Sequence, residues 1–217
     1  NLHMINITGV DKFYNLKNVR KYIFKDLNFS VKSGDLIKIT GPNGSGKTTL
    51  LRLLHKITLP EKGEVTYEPN LQPNEVSIVS QNQRSFFLNL SVMQNLQFFS
   101  DISGNLSGNS LSKIHEKLEI FGLLHKSNTQ MSSLSSGQLK KISIIRSLLV
   151  RPKILLLDEV NSTLEDSARK FISEYVVNEL NGKFGTAVIW TTHYPNELNT
   201  NLFSDYIVKD NNLIKTN

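Results

Sequence analysis

With 217 residues, 39% of them hydrophobic and 20% charged, the chain has the composition of one or at most two globular domains with a real core. That excludes a disordered tail, a collagen and a disulfide-stapled miniprotein. The absence of cysteine excludes structural disulfides, cysteine–zinc sites and thiol catalysis, and the net charge of +6 is concentrated near the start, where Lys12, Lys17, Arg20, Lys21 and Lys25 stand against Asp11.

Those basic residues are interleaved with Phe13, Tyr14, Tyr22, Ile23 and Phe24 in a strand-like pattern. They read as the solvated face of a small sheet in preference to a nucleic-acid or anionic-membrane footprint. No apolar run approaches the ~20 residues that span a bilayer. Asn1-Leu2-His3-Met4 lacks the basic-then-apolar layout of a signal peptide, Met4 reads as the natural start, and a cytosolic protein is the expectation.

In chain order, strands are expected at Tyr22 to Phe24, Leu27 to Val31 and Leu36 to Thr40, with a turn at Lys32-Ser33-Gly34-Asp35. The third strand runs into a glycine-rich loop, Gly41 to Thr48, and then a helix through Thr49-Leu50-Leu51-Arg52-Leu53-Leu54. Val76 to Ser80 is strand-like. From Ser91 to Val150 the period becomes helical: Val92, Leu96 and Phe99 recur at i, i+4, i+7, as do Ile114, Leu118 and Phe121. Ser103 to Ser110 separates these two segments as a Gly/Ser/Asn loop. Ile154-Leu155-Leu156-Leu157, bounded by Pro152 and Asp158, is the apolar run of a strand buried on both faces of a parallel sheet. A helix from Ser167 to Leu180 closed by Asn181-Gly182, a strand over Thr186 to Trp190 and a last strand at Tyr206-Ile207-Val208 complete the expected α/β pattern.

Gly41-Pro42-Asn43-Gly44-Ser45-Gly46-Lys47-Thr48 fits G-x-x-x-x-G-K-[ST] in the required strand–loop–helix context. Glycines let successive backbone N–H groups point into one concavity, and the helix N-terminus adds its positive end. Lys47 then reaches the β- and γ-phosphates of a nucleotide, and the Thr48 hydroxyl ligates Mg²⁺. The metal needs a second carboxylate, which a strand ending in acid supplies: Asp158 faces the Mg²⁺ shell and Glu159 polarises the attacking water.

Leu134-Ser135-Ser136-Gly137-Gln138, directly ahead of the helical Leu139 to Leu149, resembles the L-S-G-G-Q signature of the ATP-binding cassette (ABC) family, with Ser136 in place of the first glycine. The resemblance covers nearly the whole chain. It implies a P-loop NTPase core with a mostly parallel sheet, a small antiparallel N-terminal β subdomain and an inserted α-helical subdomain. Residues 1–82 and 151–217 would form the β subdomain and core, and residues 83–150 the helical part with the signature. It also implies that Ser135, the Gly137 backbone and Gln138 meet ATP held by the P-loop of a second chain, Gly41 through Thr49, so that two ATPs are sandwiched head to tail. Gln81 matches the family glutamine that reaches Mg²⁺ or water, and His193 the switch histidine that contacts the γ-phosphate. Tyr14 is the candidate for stacking on adenine. The loop Ser162-Thr163-Leu164-Glu165 departs from the family's S-A-L-D, and Val160 replaces its usual proline.

The expected function is that of the ATP-hydrolysing subunit of an ABC transporter, a homodimer around Mg²⁺ and ATP on the inner face of the cell membrane. A separate membrane permease would dock near Gln81 to Phe87, and no nucleic acid is expected as a partner. A different class, a soluble single-cassette ATPase of an assembly system such as iron–sulfur cluster biogenesis, stays open. The length implies one cassette with no appended module, similar to short exporter ATPases such as the haem-exporter subunit of cytochrome c maturation.

Overall fold

The described strands form two sheets. The computed structural model describes residues 3–16, 19–80, 85–103, 110–193, 198 and 200–216. Strands β1 (His3–Leu16), β2 (Val19–Lys32) and β4 (Lys62–Tyr67) form an antiparallel sheet in the order β2-β1-β4. The larger sheet has the order β5-β6-β7-β3-β8-β9, built from β3 (Leu36–Thr40), β5 (Val76–Val79), β6 (Ile154–Asp158), β7 (Ala187–Thr191), β8 (Ser204–Lys209) and β9 (Asn212–Lys215). All its neighbouring pairs are parallel except β8 with β9.

The alternation of side chains along β6 explains its uninterrupted apolar run. Ile154 and Leu156 enter a core shared with the small sheet and helix α1 (Lys47–Leu54), while Leu155 and Leu157 enter a second core. Strand β7 does the same, with Ala187 and Ile189 on one side and Val188 and Trp190 on the other. Both faces being covered, the sheet carries no polar alternation. The second core is completed by α2 (Val92–Ile102), α3 (Ser110–Ile120), α4 (Ser136–Leu148) and α5 (Asp166–Tyr175). The expected fold class is the observed one.

The helical periodicity holds in detail. Val92, Leu96, Ile114 and Leu118 are fully buried, and Phe121, one residue beyond α3, packs its ring 5.3 Å from both Phe171 and Tyr175. Of the expected loop from Ser103 to Ser110, residues 104–109 lie outside the described residues.

Several expectations are corrected. The segments Tyr22 to Phe24 and Leu27 to Val31 are one strand, β2, pairing along the length of β1 with register shifts around Val10 and Lys12. These bulges disturb the period of 2 on which a strand reading depends, so β1 was not visible as a strand of 14 residues. They also turn Lys12 inward: it is buried, and its Nζ donates to Glu61 Oε1 and to the Leu59 carbonyl, each at 2.9 Å, instead of lying on a solvated face. The helix after β6 does not run unbroken to Leu180. Beyond Tyr175 it widens into a π-helix, Val176–Asn181, and Gly182 is still helical at φ −64°. Gly185, at φ +66°, is the residue that ends it. Tyr206 to Val208 is not the last strand, because β9 folds back on it.

Candidate functional site

Strand β3 lies between β7 and β8, and β6 lies on the far side of β7. The carboxyl ends of β3, β6 and β7 therefore open side by side where strand order changes direction, the usual place for a ligand in such a sheet. The chain leaves β3 through Gly41, Gly44 and Gly46, at φ +147°, +75° and +117°, and enters α1 at Lys47. Of these, Gly46 is held most tightly: a methyl group there would overlap Ile23 Cγ2 and come within 3.3 Å of Phe24. No side chain caps α1, so its first N–H groups face the loop.

Lys47 is the hub of the site. Its buried ammonium donates to the Gly41 carbonyl at 2.8 Å and to the Pro42 carbonyl at 3.1 Å, lies 3.3 Å from Nδ1 of His193 and 3.4 Å from Oε1 of Glu159. The other Glu159 oxygen is 2.5 Å from Nε2 of His193. Glu159 reaches this position because its backbone is left-handed, φ +49°, which swings its side chain away from that of Asp158. Its N–H is fixed by the Thr191 carbonyl and hydroxyl, both at 3.2 Å.

Asp158 faces the other way. The Thr48 hydroxyl lies 2.9 and 3.1 Å from its two oxygens, and the Thr191 hydroxyl donates to it at 3.0 Å. Burial pushes the Asp158 carboxyl up from its ordinary value; the hydroxyls of Thr48 and Thr191 pull it back, and neighbouring Glu159 adds to the rise. Thr191, fully buried, was not expected in the site. The signal was a polar pair, Thr191-Thr192, closing an apolar strand.

The donor set fits a magnesium ion. A hydroxyl and a carboxylate meet as hard oxygens, and no group of three His, Cys, Asp or Glu able to cage a metal occurs among the described residues. A metal held here would take its remaining ligands from phosphate and water, as Mg²⁺ does. The Ser45 hydroxyl, buried in the loop and without a hydrogen-bond partner, is a further polar atom that suits an anionic ligand.

A cleft of about 430 Å³ opens here, lined by Tyr14, Ile23, Asn43, Gly44, Gly46, Lys47, Thr48, Thr49, Glu159 and His193. Tyr14 stands 41% exposed at its rim, with the Lys12 ammonium 5.2 Å from its ring centre. Tyr22 instead packs on Phe13 at 5.2 Å. Gly41, Pro42 and Ser45 shape the loop without lining the cleft. Gln81 lies outside the described residues.

Ser135, Gly137 and Gln138 do not join this cleft. Ser135 is the N-cap of α4, its Oγ accepting from the Gln138 N–H at 3.2 Å while Gln138 Oε1 accepts from the Ser135 N–H at 3.0 Å. This capping box engages the Gln138 side chain and leaves the helix N-terminus formed and polar. Gly137 sits where a Cβ would meet the Thr163 carbonyl at 3.2 Å. Glu165, the departure from the family loop, is the N-cap of α5, without a side-chain cap bond.

The profile of the family described as ABC transporter matches residues 24–162. The methionine import ATP-binding protein MetN 3 of Shouchella clausii is 27% identical over 200 residues, 88% of this chain and 58% of that protein. The sulfate/thiosulfate import ATP-binding protein CysA of Mesostigma viride is 32% identical over 174 residues, 77% of this chain and 49% of its own. The chain thus spans about half the length of these curated relatives. Among solved structures, the dimeric bacterial ABC transporter cassette MJ0796 superposes with a TM-score of 0.85 at 25% identity, covering 97% of this chain and 96% of that one.

Proposed function

Because this chain belongs to the ABC transporter family, we propose that it binds ATP in the cleft between Tyr14 and His193, hydrolyses it, and drives a separate membrane permease. The observation that carries the reading is the convergence of Lys47, Glu159 and His193 beside the Thr48–Asp158 pair.

In this reading the N–H groups from Gly41 to Thr49 cradle the phosphates and Tyr14 stacks on adenine. Lys47 exchanges its carbonyl and carboxylate partners for the β- and γ-phosphates. His193 turns to the γ-phosphate, which releases the Glu159 carboxylate to accept a proton from the attacking water. Thr48, Asp158 and Gln81 hold Mg²⁺, which, when bound, neutralises charge on the phosphates. Asp158 is suited to this because the hydroxyls of Thr48 and Thr191 favour its charged form and partly offset the rise that burial imposes.

The position of the signature supports a dimer. Ser135, Gly137 and Gln138 present a helix N-terminus outside the cleft, where only the ATP of a second copy would meet it. A membrane partner is supported by an exposed aromatic surface near the expected docking segment. Phe87, Leu88, Leu90 and Phe98 are all exposed, and the Phe87 and Phe98 rings meet at 5.0 Å. The buried Asn95 amide holds this segment from beneath, donating to the carbonyls of Phe87, Leu90 and Ser91. No helix among the described residues is long and apolar enough to cross a membrane, so a permease would be a separate segment or chain on whose inner face this cassette docks.

Glu159→Gln tests the reading. The variant is expected to bind fluorescent ATP as the parent does, to release phosphate at least ~100-fold more slowly, and to elute as a dimer with Mg²⁺ and ATP. Brisk steady-state hydrolysis would remove Glu159 from its role, and failure of the parent to bind ATP would remove the whole assignment. Co-purification with a polytopic membrane protein supports the transporter role; a soluble scaffold in its place supports an assembly ATPase.

A further inference from the structure

Lys140 is 1% exposed and does not line the cleft. An ammonium is seldom buried so completely without a purpose that offsets its lost hydration. It lies one turn inside α4, so its long side chain starts from the helix that carries Ser135, Gly137 and Gln138. Its Nζ donates to the Ser80 carbonyl at 3.0 Å, at the end of β5 and immediately before Gln81.

Two further observations place this link between sites. Burial pushes the Lys140 ammonium down and the Asp158 carboxylate draws it back up, so the cation lies within the field of the carboxylate assigned to Mg²⁺. The first turn of α4 rests on the loop after Glu159, where Gly137 approaches the Thr163 carbonyl. The helix offered to a second chain is therefore pinned at one point to the loop beyond this chain's own carboxylates and at another to the strand leading to Gln81.

We propose that Lys140 is a positioning residue that couples the two nucleotide sites of the dimer, by holding the signature helix in register with the metal-binding strand ends of its own chain. The inference rests on the dimer reading above. The Lys140–Ser80 bond ties α4 to the end of β5, so a shift of that strand end when one site is loaded is passed to the helix that serves the other. A methionine of similar length keeps the packing but cannot bond Ser80. Glutamine keeps a donor and loses the charge.

The test places Lys140→Met and Lys140→Gln in the Glu159→Gln background and measures dimerisation with Mg²⁺ and ATP by analytical ultracentrifugation. Monomer affinity is measured in parallel with a fluorescent ATP analogue. Monomer affinity is expected to stay within about 2-fold, since the P-loop is untouched, while the dimer dissociation constant rises about 10-fold or more for methionine. Glutamine is expected to fall between, and Lys140→Arg to restore most of the loss. If Glu159→Gln alone fails to dimerise, the dimer reading is what has failed. If it dimerises and the double variants dimerise equally well, or if neither neutral variant folds as a monomer, Lys140 is an ordinary core residue and the inference is overturned.

Discussion

The Lys47 ammonium lies 3.4 Å from Oε1 of Glu159, joining the glycine-rich loop after β3 to the end of β6. Lys47 is 3% exposed and Glu159 8%, so the pair is shielded and its attraction exceeds that of a surface ion pair. In the proposed reading, nucleotide phosphates would compete with the Glu159 carboxylate for this cation.

Replacing Lys47 with Met removes the charge and the donors together. ATP affinity is expected to drop about 10- to 100-fold, in line with the loss of one or two charge-assisted hydrogen bonds. Titration with a fluorescent nucleotide reads this directly, and an unchanged affinity would show that the phosphates bind elsewhere.

Gly46→Ala tests the loop's backbone. At φ +117° alanine is strained, and its methyl would overlap Ile23 and crowd Phe24. A loss of about 1–3 kcal/mol is expected, with weaker ATP binding as the loop shifts off β2. Urea unfolding and nucleotide titration report the two effects, and parental behaviour in both would contradict the described loop geometry.

Leu96→Ala tests whether the two cores are energetically separate. Leu96 is fully buried in the core under α2, while α1 packs in the other. Truncation is expected to cost about 2–5 kcal/mol, yet leave the ATP affinity of the folded protein within about 2-fold, because the helix that follows the glycine-rich loop packs in the other core. A large loss of affinity at temperatures where the variant remains folded would show that the two cores are coupled.

Tyr67 predicts a pH dependence. Burial holds its phenol up at about 12 against the usual 10.0, and its hydroxyl donates to the Leu54 carbonyl at the end of α1, at 2.7 Å. The folded state thus favours the neutral phenol. The stability this contributes is complete below pH 10 and is lost as pH rises toward about 12. Ultraviolet titration of the parent against Tyr67→Phe should place the missing phenolate signal near the upper value. Ionisation alongside exposed tyrosines would refute the buried bond.

How far the sequence reaches depends on the range over which a feature is specified. The loop from Gly41 to Thr48, the apolar run ending in Asp158 and Glu159, and the N-cap at Ser135 are each written in neighbouring residues. The same holds for the faces of α2 and α3, where Val92, Leu96, Ile114 and Leu118 follow the helical period into the core. Local disturbances hide the rest: the bulges near Val10 and Lys12 mask β1 and reverse Lys12, and the widening after Tyr175 moves the helix end from Gly182 to Gly185. Either glycine suits a helix terminus; only φ distinguishes the one that makes it.

The sequence by itself determined the glycine-rich loop before a helix and the apolar strand that ends in two carboxylates, since each needs only short-range order. Tertiary structure alone decided that Thr48 meets Asp158 across 110 residues and Lys47 meets His193 across 146. It also decided that Thr191 braces both acids, and that Lys140 turns inward to Ser80. The first three follow from the order β6-β7-β3 within the sheet, and the last from the packing of α4 against β5. Periodicity says which face of a strand is buried, but strand order is set by how whole elements cover one another, and no single stretch of sequence contains it.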